Sequence, residues 1–160
     1  MKRLIQIIIF IFIFGANNSY AHELVGPKIF GLQLGMQFNK VLEIANKITE
    51  NNCEQIDQYG LSCYSSKFGR LNIIFNNGIL SMYSMPLTYF NYNGSMDERV
   101  FLKQLIEHYK IPELDYISGN NRNYYQYKNS NEGYQITISF SMFGEIKVNS
   151  IEKISDLNFK

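Results

Sequence analysis

Residues 70–85 read RLNIIFNNGILSMYSM, and this stretch restricts the fold more than any other. Asn76-Asn77-Gly78 separates two runs rich in aliphatic and aromatic residues. An Asn-Gly pair tolerates the positive φ values of a type I′ turn, whose twist matches that of paired strands. The stretch therefore predicts an antiparallel hairpin. Two more hairpins are expected. One joins Gln55–Asp57 to Leu61–Ser65 through DQYG, where Gly60 suits a bulge. The other joins YQITISFSM to EIKVNSI around Phe143-Gly144.

Between the strands the apolar period changes from two to between three and four. Phe38, Val41, Leu42, Ala45 and Ile48 share one face of a helix expected over about Gln37–Thr49, with Ile44 at the edge of the stripe. A second helix is signposted by SMDERVFLKQLIEHYKIP. Ser95 and Glu98 have the spacing of a capping box, Phe101, Leu102, Leu105, Ile106 and Tyr109 form its apolar stripe, and Pro112 stops it. Ile29–Leu34 reads as one short extended segment, and 86–94 as a connecting loop. The class is α+β, with two helices packed on antiparallel sheet. Helix, strands, helix, strands is either one helix–strand–strand unit used twice, over 29–94 and 95–154, or an α+β chain whose hairpins recur without a repeat.

The first residues, MKRLIQIIIFIFIFGANNSYA, carry a basic start, an apolar run over Leu4–Phe14 and a small-x-small ending at Ser19-Tyr20-Ala21. That is the anatomy of a secretory signal peptide over 1–21, and the apolar run is too short to span a bilayer comfortably. The mature chain, 22–160, is expected to be one α+β domain in the periplasm or outside the cell, with no stable membrane anchor. Of the 15 Lys and Arg residues, two lie in the signal, as do none of the 14 acidic residues, so the mature chain is one charge negative. It has no basic stripe to draw nucleic acid.

Cys53 and Cys63, the only cysteines, pair as a disulfide on this reading, because an even count in an oxidising compartment favours a bridge. Register makes the expectation specific. A plain three-residue loop at 58–60 would leave the two cysteines diagonal and too far apart, so a bridge requires a bulge or a turn centred on Gln58.

Little else suggests chemistry. His22 and His108 lack companion ligands, His108 sits in the last turn of a helix, and no nucleophile turn, G-x-G-x-x-G or phosphate loop occurs. No enzyme activity, cofactor, metal or catalytic residue is assigned. Tyr83, Met85, Tyr89, Phe90 and Tyr92, crowded between a strand end and a helix start, are the candidate partner-binding residues, with Tyr124, Tyr125 and Tyr127 beside them. Tyrosine and methionine offer large, adaptable contact area. The alternative is a loop folded over the sheet, its aromatics plugging the core.

FGLQLGMQFNKVLEIANKI, a cysteine-bearing hairpin and LNIIFNNGILSMY together resemble small periplasmic modules that include the BamE/SmpA outer-membrane proteins and the beta-lactamase inhibitor protein. Leu34-Gly35-Met36 matches their motif. Gln37 replaces the usual Ser or Thr helix cap, and the lipid-bearing cysteine of the outer-membrane members is absent. The resemblance implies a binding protein, either an inhibitor or immunity protein that neutralises a secreted or periplasmic enzyme, or an accessory of envelope assembly.

Overall fold

The computed structural model describes residues 23–57, 59–119, 123–141 and 144–151. Residues 1–21, where a signal peptide is expected, together with His22, Gln58, Phe143 and the tail beyond Ile151, lie outside those residues.

The Asn-Gly hairpin forms as its residues dictate. Strands β5 (Gly69–Asn76) and β6 (Ile79–Pro86) are joined by Asn77 and Gly78 at φ 51° and 76°, both in the left-handed region of a type I′ turn. Upstream lie β1 (Val25–Ile29), β2 (Leu32–Leu34), helix α1 (Phe38–Ile48), β3 (Cys53–Asp57) and β4 (Gly60–Ser65). A 3-10 turn over Leu87–Phe90 follows β6. Helix α2 (Glu98–Tyr109) comes next, then β7 (Asp115–Ser118), β8 (Asn123–Asn129), β9 (Tyr134–Ser139) and β10 (Glu145–Ser150).

Eight strands make one antiparallel sheet in the order β3-β4-β5-β6-β10-β9-β8-β7. Alternation along each strand sends Leu61, Cys63, Leu71, Ile73 and Tyr83 to one face, together with Ile136, Ile138, Ile146 and Val148, all of them buried. Val41 and Ala45 of α1 and Phe101, Leu102 and Leu105 of α2 are buried against this face. The opposite face carries no helix among the described residues.

Ile29–Leu34 is not one extended segment. It folds back as a hairpin, Ile29 pairing with Leu32 across Phe30 and Gly31, at φ 49° and 88°. This hairpin lies over β6 and β10, meeting α1 through β2 and α2 through β1. Gly35, at φ 90°, leads out of it. A side-chain Cβ there would sit 2.5 Å from the Glu23 carbonyl oxygen. The Gly35 amide donates to Leu80 O at 3.0 Å and the Leu80 amide to Met36 O at 2.8 Å, tying the Leu-Gly-Met stretch to the start of β6.

The helix starts differ from expectation. Asp97, not Ser95, caps α2: its Oδ1 accepts from the Arg99 and Val100 amides at 2.9 and 3.2 Å. Gln37 gives α1 no side-chain cap. The chain before α2 is also more ordered than a plain connection, because β6 runs to Pro86 and the 3-10 turn follows at once.

Candidate functional site

Within 83–92, Tyr83, Met85 and Tyr89 turn into the core, whereas Phe90 and Tyr92 are half-buried. Tyr83 and Met85 lie on the helix-covered side of β6, wholly buried, and Tyr89 is nearly so. The Tyr83 hydroxyl donates to the carbonyls of Pro27 and Leu32, both at 3.4 Å, and so ties β6 to the β1–β2 hairpin. Burial pushes its phenol far above the usual tyrosine range. The Tyr89 hydroxyl donates to Gly69 O at 3.2 Å, and burial raises this phenol as well.

Phe90 packs on Phe30 and Tyr109, with ring centroids 5.2 and 5.5 Å apart. Tyr92 packs on Phe101 and Phe140 at 4.7 and 5.2 Å. Both are partly buried. The 3-10 turn aims Phe90 into the seam between the hairpin and α2, while Tyr92, just beyond it, lies between α2 and Phe140, and edge and tilted contacts suit the ring quadrupoles. Tyr83, Met85 and Tyr89 thus serve the core, and Phe90 and Tyr92 keep part of their surface in solvent. In β8, Tyr125 and Tyr127 pair with the inward Ile138 and Ile136, whereas Tyr124 pairs with Ser139 on the open face.

The open face carries exposed apolar side chains at other positions. Ile74 of β5 is 42% exposed and Tyr64 of β4 51%. Tyr59, beside the β3–β4 turn, is 54% exposed, and Ile56, at the irregularity in β3, 67%. A groove of about 450 Å³ runs across this face. Ile56, Tyr59, Ile74 and Met82 supply its apolar lining, with Glu145 and Lys147 reaching in from β10. Strand alternation could have pointed to it: within RLNIIF, Ile74 occupies the outward position between inward Ile73 and Phe75, where a polar residue is usual.

The disulfide stands at the edge of the same sheet. Cys53 and Cys63 are directly paired, with Cα atoms 3.9 Å apart. The required bulge is present between Gln55 and Asp57. Thr49, buried at the end of α1, donates its hydroxyl to Ala45 O at 2.7 Å and lies 3.4 Å from Cys53 Sγ. The bridge thus joins the outermost strand to its neighbour beside the helix end, and it fits an oxidising compartment.

Among the described residues, no three His, Cys, Asp or Glu side chains are grouped so as to hold a metal. The His108 ring rests edge-on against Tyr109 at 4.6 Å. No protein-family model matches the chain, and no curated protein or solved structure is significantly similar to it.

Proposed function

We propose that the chain is an exported protein-binding module whose contact surface is the open face of the eight-stranded sheet, and that it neutralises a secreted or periplasmic enzyme as an inhibitor or immunity protein. One observation carries this reading. The helices and the β1–β2 hairpin cover one face of the sheet, and the other presents Ile56, Tyr59 and Ile74 to solvent along a groove, with Tyr64 exposed further along β4. Exposed apolar side chains gathered on one face are characteristic of interaction sites, and tyrosine anchors contribute strongly there.

The signal-like N-terminus and the disulfide support export. The order of elements supports two related halves, each a helix followed by four strands, meeting at β6 and β10. That arrangement extends the helix–strand–strand unit and agrees with the resemblance to small periplasmic binding modules.

The test is site-specific photocrosslinking in the export compartment of living cells. A photoreactive residue at Tyr64 or Ile74 should trap a discrete protein, and Ile74→Asp should abolish the adduct formed from position 64. A probe at Lys103, on the outer side of α2, should trap nothing comparable. Equal adducts from both sides of the molecule, or none from the sheet face, would reject the assignment.

A further inference from the structure

Ser95 is left without a capping role because Asp97 caps α2, and its side chain turns instead to Asn93. The Ser95 hydroxyl donates to Asn93 Oδ1 at 2.5 Å and the Ser95 amide donates to the same oxygen at 3.0 Å. Gly94 lies between them at φ 80°, exposed, with nothing within 4 Å of where a Cβ would be. We infer that Asn93-Gly94-Ser95 is a self-modifying site, at which the asparagine side chain deamidates through attack by the following main-chain nitrogen.

The reaction needs only water and a base from solvent. The Gly94 nitrogen loses its proton and bonds to Asn93 Cγ. Negative charge then develops on Oδ1, the atom that both Ser95 donors already address, and donors placed where charge develops lower the barrier. Nδ2 takes a proton from water or the protonated base, the Cγ–Nδ2 bond breaks as the oxyanion collapses, and ammonia leaves, which gives a cyclic imide across positions 93 and 94. Water opens the ring at either carbonyl, so an aspartyl or isoaspartyl linkage replaces the asparaginyl one, and a carboxylate stands where the amide was neutral. No electrons are gained or lost. The absence of a Cβ on Gly94 leaves the attacking nitrogen unhindered.

The same chain contains its own comparison. Asn77-Gly78 has the same two residues and is also exposed, but the β5–β6 ladder closes on both sides of it and the Phe38 amide donates to Gly78 O at 3.0 Å. The turn is held, and among the described residues no side chain donates to the Asn77 amide oxygen as Ser95 does to that of Asn93. Asn93 therefore reacts first. It borders a cleft of about 560 Å³ lined by Phe68, Pro86, Tyr92, Glu98 and Phe140, so conversion places an anion on that rim.

The full mature chain, incubated in mildly alkaline buffer and followed by peptide mapping with isoaspartate detection, tests the inference. Conversion at Asn93 ahead of Asn77 is expected. Ser95→Ala, which keeps the amide donor and removes the hydroxyl, should slow it about 3- to 10-fold, the worth of one exposed hydrogen bond. Conversion at Asn77 first in the wild-type chain, or an unchanged Asn93 rate in a Ser95→Ala chain of wild-type circular dichroism, would overturn it.

Discussion

Opening the Cys53–Cys63 bridge should lower stability by an amount fixed mainly by the size of the closed loop. The loop spans 11 residues counting both ends, and the chain-entropy relation gives about 3 kcal/mol at 25 °C. Unfolding a domain of this size carries an entropy of about 0.3 kcal/mol/K, so the loss corresponds to a melting temperature lower by about 10 °C. The native side adds little, because Cys53 and Cys63 already face each other across paired strands and the bulge between Gln55 and Asp57 sets their register without the bridge. The assay is thermal unfolding of the mature chain oxidised and after reduction, with thiol state verified by alkylation and mass, alongside Cys53→Ala/Cys63→Ala. Hydrogen exchange should show the amides of β3, at the sheet edge, losing protection before those of β5. A shift below about 2 °C would refute the loop-entropy argument, and faster exchange starting in β5 would refute the assignment of the bridge to an edge clip.

Asp97→Ala should cost about 1 kcal/mol in denaturant titration, the usual worth of a helix cap, while Ser95→Ala leaves stability unchanged. At high pH the buried Tyr83 matters. Its folded pKa is raised, so its contribution is fully present below the unfolded value near 10 and declines as pH rises above that, by about 1.4 kcal/mol per pH unit. Tyr83→Phe should flatten that alkaline decline in a pH series of unfolding curves. At low pH, Glu43 has the opposite sign. Hydrogen bonds from Lys47 and then Lys40 hold its carboxyl down to about 2, so its contribution is present above about 4.5 and is lost between there and 2. Both partners are exposed, so Glu43→Gln should shift acid unfolding only slightly, and added salt should erase the difference.

The local signals in the sequence were the reliable ones. Asn77-Gly78 encodes its own turn through backbone freedom, and the stripe of α2 declares a buried face, so both were legible. The β1–β2 hairpin was not, because its turn is Phe30-Gly31, and Phe30 holds a positive φ with its ring seated among Phe90, Tyr89 and Tyr109. Tertiary contact decides that turn. The short edge strand β7 was missed for the same kind of reason: DYIS has too few residues to show a period, and pairing with β8 fixes it. The aromatics of 83–92 are ambiguous for a different reason. Strand alternation gives two faces without saying which one the helices cover, so a plug and a recognition surface share one sequence pattern. Tyr64 became legible as a surface residue only once the covered face was known, whereas Ile74 already stood out as the apolar residue on the Arg70 and Asn72 side of its strand.

The strand order has a kinetic consequence. Among the described residues, every ladder of the eight-stranded sheet joins strands consecutive in the chain, except β6 with β10, which pairs Pro86 with Glu145. Neighbouring hairpins can zip up at little cost in loop closure, whereas the central ladder must bring distant segments together. The slow event of folding is therefore concentrated in one seam at the middle of the sheet. Until that seam closes, β6 and β10 are both open edges, each able to accept the matching strand of a second molecule, so the same ladder that completes the monomer is also the route to a domain-swapped dimer.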